Sequence, residues 1–336
     1  CESIPVEDSI KRGGGDARRA IDTWKDTLAN LGRAGVPVVC YNFMPVVDWT
    51  RTDLMYPLPT TGYALRFDMV DFIAYDVFVL KRPNAAEDYS PLQVAAAEVR
   101  LSTKSEDDIL ILEKSIIAGL PGGAEAQTRP SIFRAISLFE GLTAAEVRGN
   151  LIAFLKEVVP VAEEFGVKLA IHPDDPPFSL FGMPRIVSTA EDARLILAAV
   201  SSDANGLTFC AGSYGSRPDN DVLAMAREFA PRINFAHLRN VEVEPDGSFC
   251  ESEHLDGRAD MVALIEILLR EQRAAKSEGR RDNIPFRPDH GHLLADDVNK
   301  NSNPGYSYAG RLKGLGELRG VMRTVSNYMD RESIPA

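Results

Sequence analysis

The chain has 336 residues, of which 45% are hydrophobic and 26% charged, the balance of a soluble globular protein with one large domain or two ordinary ones. Its formal net charge of −12 argues against nucleic acid as a partner, because phosphate binding needs a Lys/Arg-rich surface. No apolar run approaches the roughly 18–20 residues a membrane span needs.

The four cysteines, Cys1, Cys40, Cys210 and Cys250, are widely spaced and form no CxxC pair. They fit free thiols in a reducing cytoplasm better than a disulfide framework. The acidity leaves an anionic small substrate open, since a few arginines and a metal can reverse the potential inside a pocket.

In chain order, the opening Cys1-Glu2-Ser3-Ile4-Pro5 resembles the end of a strand, and an N-terminal piece is expected to precede it. Residues 17–32 are helical in period, with Ala20, Ile21, Trp24, Leu28 and Leu31 at three- and four-residue steps. Residues 36–43 read as a buried strand, and 45–61 as irregular. The stretch 60–142 reads as a helical insertion forming a cap beside the site, with helices over 68–81 and 105–120 and no convincing strand. Ser105 and Asp108 sit as a helix N-cap pair.

Strand and helix then alternate. Thr143 to Glu146 forms a capping box opening a long helix, and Ser188 to Glu191 is read as a second. Strands are expected at 167–171, 206–210, 233–237 and about 284–287. Helices are expected at 219–229, 259–277 and 310–329, and Asp246-Gly247 marks a hairpin turn within 242–253. Six strand-like segments have continuous apolar character, the mark of a parallel sheet covered on both faces. Two further strand–helix units would complete an α/β fold of the (β/α)8 TIM-barrel type, a single domain over 1–336. An open doubly wound sheet is disfavoured because no GxGxxG or GxxxxGK[ST] follows any strand.

Four successive strands end on a residue able to bind metal: His172, Cys210, His237 and Asp289. A lone His is more often a hydrogen-bonded structural residue, and a lone buried Cys a small hydrophobe. Four of them at separate strand ends point to one mouth and one divalent ion, whose charge a thiolate and a carboxylate would balance. Ligand softness favours Zn²⁺, whereas free coordination positions for substrate favour Mn²⁺ or Fe²⁺. His290 and His292 flank Gly291, so at least one should face the pocket as acid, base or support of a ligand. Tyr306 lies in a loop from which a phenol could reach the mouth or merely pack on the surface. Arg287 and Arg239 could clamp a carboxylate, or form structural ion pairs. The Asp174-Asp175 pair could orient imidazoles or cap a turn.

Several motifs in fixed order carry a specific resemblance: Tyr41-Asn42-Phe43-Met44-Pro45 with Asp48-Trp49-Thr50-Arg51, His172-Pro173-Asp174-Asp175-Pro176-Pro177, Cys210-Ala211-Gly212-Ser213-Tyr214-Gly215, His237-Leu238-Arg239, Arg287-Pro288-Asp289-His290-Gly291-His292 and Asn303-Pro304-Gly305-Tyr306. Together they resemble the mannonate dehydratases of hexuronate degradation. The resemblance implies a xylose-isomerase-like barrel that converts D-mannonate to 2-keto-3-deoxy-D-gluconate and water. It implies Mn²⁺ or Fe²⁺ held by His172, Cys210, His237 and Asp289, with His292 and Tyr306 as proton-transfer residues. It also suggests a homo-oligomer. Arg287, Arg239 and His290 are the candidates for substrate contact. The alternatives are another metal-dependent barrel reaction, such as sugar isomerisation or epimerisation, and a non-catalytic sugar-acid binding protein.

Overall fold

A computed structural model of the protein describes residues 1–117, 128–281 and 283–332. The strands in chain order are β1 (Val38–Tyr41), β2 (Asp53–Pro57), β3 (Tyr63–Phe67), β4 (Lys168–Ile171), β5 (Asn205–Cys210), β6 (Ile233–His237), β7 (Val241–Val243), β8 (Phe249–Glu251) and β9 (Phe286–Arg287). Five of them form a parallel sheet in the order β1-β4-β5-β6-β9. Glu2 adds a parallel bridge to Cys40 on the outer edge of β1, so the opening segment does behave as a strand end. The sheet is curled, because β1 and β6 approach one another although two strands lie between them. Parallel strands, helical crossovers and this curvature make it an α/β sheet of the (β/α)8 barrel class.

Helices cover the sheet for the reason their sequences suggest. Helix Ala17–Arg33 buries Ala20, Trp24 and Leu28 on one face. Helix Ala144–Glu164 opens on a reciprocal cap in which the Thr143 hydroxyl accepts from the Glu146 amide (3.2 Å) and the Glu146 carboxylate accepts from the Thr143 amide (2.8 Å). It turns Val147, Leu151, Leu155 and Val158 inward. Trp24 and Phe154 meet edge to face at 5.0 Å between ring centres, locking the two helices over β1.

The structure departs from the sequence reading in several places. β2 lies where an irregular segment was expected and β3 overlaps the start of the strand-free stretch; they pair antiparallel with each other and then with β8 and β7. The partner that stabilises this hairpin, β8, is nearly two hundred residues away in sequence, so no local pattern announces it. Residues 68–81 form an α-helix only over Met69–Ala74 and continue as a π-helix, Tyr75–Val79. The second capping box is one residue later than expected, with Thr189 as the cap and Asp192 as its partner. Ser105 and Asp108 cap helix Glu106–Ile116 as expected, and positions 118–120 of that expected helix lie outside the described residues. The 246–247 turn joins β7 to β8, with Gly247 at φ 91°. A second apolar cluster, including Phe67, Phe72, Phe181 and Phe249, fills the space between this small sheet and the helices of the insertion.

One backbone contact fixes the loop that follows β9. A Cβ added at Gly291 would lie 2.5 Å from the Arg311 amide, and one at Gly310 would lie 2.0 Å from the His292 carbonyl. The loop therefore rests directly on the first turn of helix Tyr308–Glu332. Gly310→Ala is expected to lower unfolding stability by about 1–3 kcal/mol through overpacking against backbone that cannot yield. A denaturant midpoint equal to the parent's would refute that reading.

Candidate metal centre and active site

Strand register assembles the centre. Cys210 and His237 are paired directly across β5 and β6, and His237 is paired with Arg287 across β6 and β9. The His172 amide donates to the Tyr41 carbonyl at 2.7 Å, which prolongs the β1–β4 ladder by one residue and sets the imidazole at the same rim. One donor atom from each of His172, Cys210 and His237 lies within 4.8 Å of the others. Asp289, at the end of β9, brings Oδ2 to 3.5 Å from His237 Nδ1. Its φ of 67° is the left-handed region that few residues other than glycine adopt, and strain of this kind survives where surroundings enforce it.

The hydrogen bonds fix the tautomers. His172 Nδ1 lies 2.7 Å from the Pro173 carbonyl, which can only accept, so Nδ1 carries the proton and Nε2 the lone pair. His237 Nε2 faces the Glu2 carboxylate and so carries a proton, which in the neutral ring leaves the lone pair on Nδ1. These two bare nitrogens face each other at 3.1 Å, with the Asp289 carboxylate and the Cys210 sulfur beside them. Four electron-rich atoms turned toward one point repel unless a cation or proton stands among them. Two nitrogens each about 2.1 Å from one ion and roughly at right angles would be about 3.0 Å apart, so the spacing suits a divalent ion. Burial works against charge on both rings. It prevails at His172, whose pKa falls below the usual histidine value. At His237 the neighbouring Asp289, Cys210 and Glu2 outweigh burial and raise it.

Beneath the centre lies a buried ion network that the sequence did not reveal. Asp175 accepts from Arg51 on Oδ1 (2.7 Å) and from Arg239 on Oδ2 (2.7 Å). Arg51 also donates to Glu251 at 2.9 Å, and its guanidinium lies over the Trp49 and Phe249 rings. Arg239 reaches Asp289 (3.4 Å) and the Ser213 hydroxyl (3.2 Å), and that hydroxyl sits 3.3 Å from Cys210 Sγ. Burial disfavours charge on Glu251, yet Arg239, His290 and Arg51 together hold its pKa down at about 2. Burial likewise opposes ionisation of Asp289, and His237, His290, Arg287 and Arg239 overcome it.

The predicted site residues thus divide. His172, Cys210, His237 and Asp289 come together. Arg239 is only 2% exposed and is bonded to Asp175, Asp289 and Ser213. Asp174 accepts from the Val187 amide and the Ser188 hydroxyl and so caps a turn, while Asp175 orients arginines and no imidazole.

The two histidines after Asp289 have different surroundings. His290 donates Nδ1–H to Glu251 (2.9 Å) and packs edge-on between Trp49 and Tyr306, at 5.8 and 5.6 Å. His292 turns the other way, with Nε2 on the Glu251 carbonyl (2.9 Å) and Nδ1 toward Glu253 (3.6 Å). Tyr306 accepts from Arg287 at 3.2 Å, and burial first, then Asp289, pushes its phenol up to about 12. Arg287 also binds Asp289 (2.6 Å) and Glu2 (2.8 Å). Glu2 lies in a segment that resembles a strand end, as His172, Cys210 and His237 do, and no local motif marks its contact with them.

The family model described as D-mannonate dehydratase (UxuA) matches residues 1–332. The chain is 66% identical over its full length to mannonate dehydratase 2 of Agrobacterium fabrum, covering 85% of that protein. It is 55% identical over 96% of its length to the mannonate dehydratase of Saccharophagus degradans, covering 82% of that protein. Among solved structures it matches the mannonate dehydratase of Streptococcus suis serotype 2 with a TM-score of 0.73, at 33% identity, over 98% of this chain and 76% of that one.

Arg51→Met leaves Asp175 and Glu251 short of a buried cation, and breaking such a pair costs about 3–5 kcal/mol. A loss below about 1 kcal/mol in chemical denaturation would show that the network does not hold the two sheets together.

Proposed function

The chain belongs to the D-mannonate dehydratase family, and from that premise we propose how its own residues divide the work of removing water from D-mannonate. The enzyme is a hydro-lyase. Carrying the proposal is the set of unprotonated His172 Nε2 and His237 Nδ1, facing each other beside Cys210 and Asp289. These four residues would hold a divalent ion, which we take to be Mn²⁺ or Fe²⁺. A bound ion of this kind would supply positive charge against the negative charge that builds on the substrate carboxylate as C2 loses its proton.

The proton transfers fall to His290 and Tyr306. With Nδ1–H given to Glu251, neutral His290 keeps Nε2 as its basic nitrogen, the carboxylate–imidazole arrangement of a general base. It would take the C2 proton. Tyr306, protonated at neutral pH because its pKa is raised, would give a proton to the departing 3-hydroxyl. Arg287, partly exposed beside Tyr306, would steady the substrate carboxylate, and Trp49 would wall the pocket. His292, whose Nε2 donates to the Glu251 carbonyl and whose Nδ1 lies 3.6 Å from Glu253, is assigned to structure in place of the proton-transfer role the resemblance implied.

The insertion over 60–142 is read as a cap beside this mouth. Four unpaired cysteines favour a reducing cytoplasm, and no helix among the described residues is long and apolar enough to cross a membrane. Exposed Leu92, Val99 and Ile111 on the helices of the insertion favour assembly into a homo-oligomer.

The test is conversion of D-mannonate to a keto-deoxy acid by Mn²⁺-loaded protein, followed by product analysis; an isomerised or epimerised sugar acid, or binding without turnover, would replace the reading. His290→Asn is expected to cost 10²–10⁴-fold or so in turnover and His292→Asn far less, and the reverse order would return the base to His292. Tyr306→Phe should lose a comparable factor with bound metal unchanged; undiminished turnover removes the phenol from the reaction.

A further inference from the structure

The centre is buttressed by a residue outside the four candidate ligands. The amide and carbonyl of the opening segment run alongside β1: the Cys40 amide donates to the Cys1 carbonyl (2.9 Å) and the Ile4 amide to the Cys40 carbonyl (3.1 Å). That pairing sends the Glu2 side chain to the rim where β6 and β9 end. One carboxylate oxygen accepts from His237 Nε2, the nitrogen opposite the one that faces the centre. Its other oxygen pairs with Arg287 at 2.8 Å, and Arg287 in turn binds Asp289 at 2.6 Å. A single carboxylate thus touches one candidate ligand directly and a second through one guanidinium.

We propose that Glu2 is a positioning residue of the metal centre: it holds the proton of His237 on Nε2, leaving Nδ1 as donor, and anchors the Arg287 that fixes Asp289. The inference rests on the four-ligand reading above. A carboxylate on the remote nitrogen of a ligating imidazole sets its tautomer and orientation and increases its basicity, and losing such a partner typically weakens metal binding 10–100-fold. If Glu2 merely paired with Arg287 as a surface ion pair, metal affinity would be indifferent to it.

The experiment is calorimetric titration of Mn²⁺ into the metal-free full chain, for the parent, Glu2→Ala, Glu2→Gln and His172→Ala, with the thermal midpoint of each metal-free protein as a check on folding. Glu2→Ala is expected to raise the Mn²⁺ dissociation constant about 10–100-fold. Glu2→Gln should raise it less, because its amide oxygen still accepts from Nε2 while the charge is gone. His172→Ala should abolish binding. Affinities of both Glu2 variants within about threefold of the parent, with His172→Ala inactive in binding, overturn the role of Glu2 and leave the centre standing. Unchanged affinity in His172→Ala overturns the centre itself. Should Glu2→Ala fail to fold, Glu2→Gln decides by the same threefold limit.

Discussion

Between the parallel sheet and the small antiparallel one, Asp175 gives one oxygen to Arg51 and the other to Arg239. Glu251 on β8 closes the square by pairing with Arg51 and lying 3.3 Å from Arg239. All four side chains are buried. Charges removed from water are tolerable only when matched closely, so this square dictates where the loops after β4 and β6 and the strand β8 must sit relative to each other. Arg239 extends the constraint to Asp289, and Ser213 extends it to Cys210. Asp289 and Cys210 are thereby tied in place by the ion network below them.

The network also leaves a charge surplus at the centre. Arg51 and Arg239 bring two positive charges against three carboxylates, Asp175, Glu251 and Asp289, while Arg287 and Glu2 cancel. One negative charge is left over, and an ionised Cys210 would make it two. A divalent cation bound by two neutral imidazoles would restore neutrality, so the network that stabilises the scaffold also suits the 2+ guest proposed for the centre. Electrostatics at this site and stability of the fold are therefore the same arrangement viewed from two sides.

Much of this was legible in the amino-acid order because barrel strands announce themselves. A buried apolar run that stops on His172, Cys210 or His237 states both the strand and which end of it is polar. The capping boxes at Thr143 and Ser105 mark helix starts for a similarly local reason, a side chain answering an amide three residues on. What escaped depended on partners far apart in the chain. β2 and β3 form a sheet only because β8 supplies an edge. Arg51, Asp175 and Glu251 carry no mark of the square they build. His290 and His292 have nearly identical sequence settings, yet one bonds the Glu251 carboxylate and the other the Glu251 carbonyl, beside a positive φ at Asp289 and a closely packed Gly291. Strand-end position likewise says nothing about how many acids converge on Arg239.

Gly291 and Gly310 touch through bare backbone, with no side chain between them to absorb motion. The last helix of the chain is thereby a rigid backstop for the segment that carries Asp289 and His290. Displacement of its first turn would therefore shift the segment that carries Asp289 and His290.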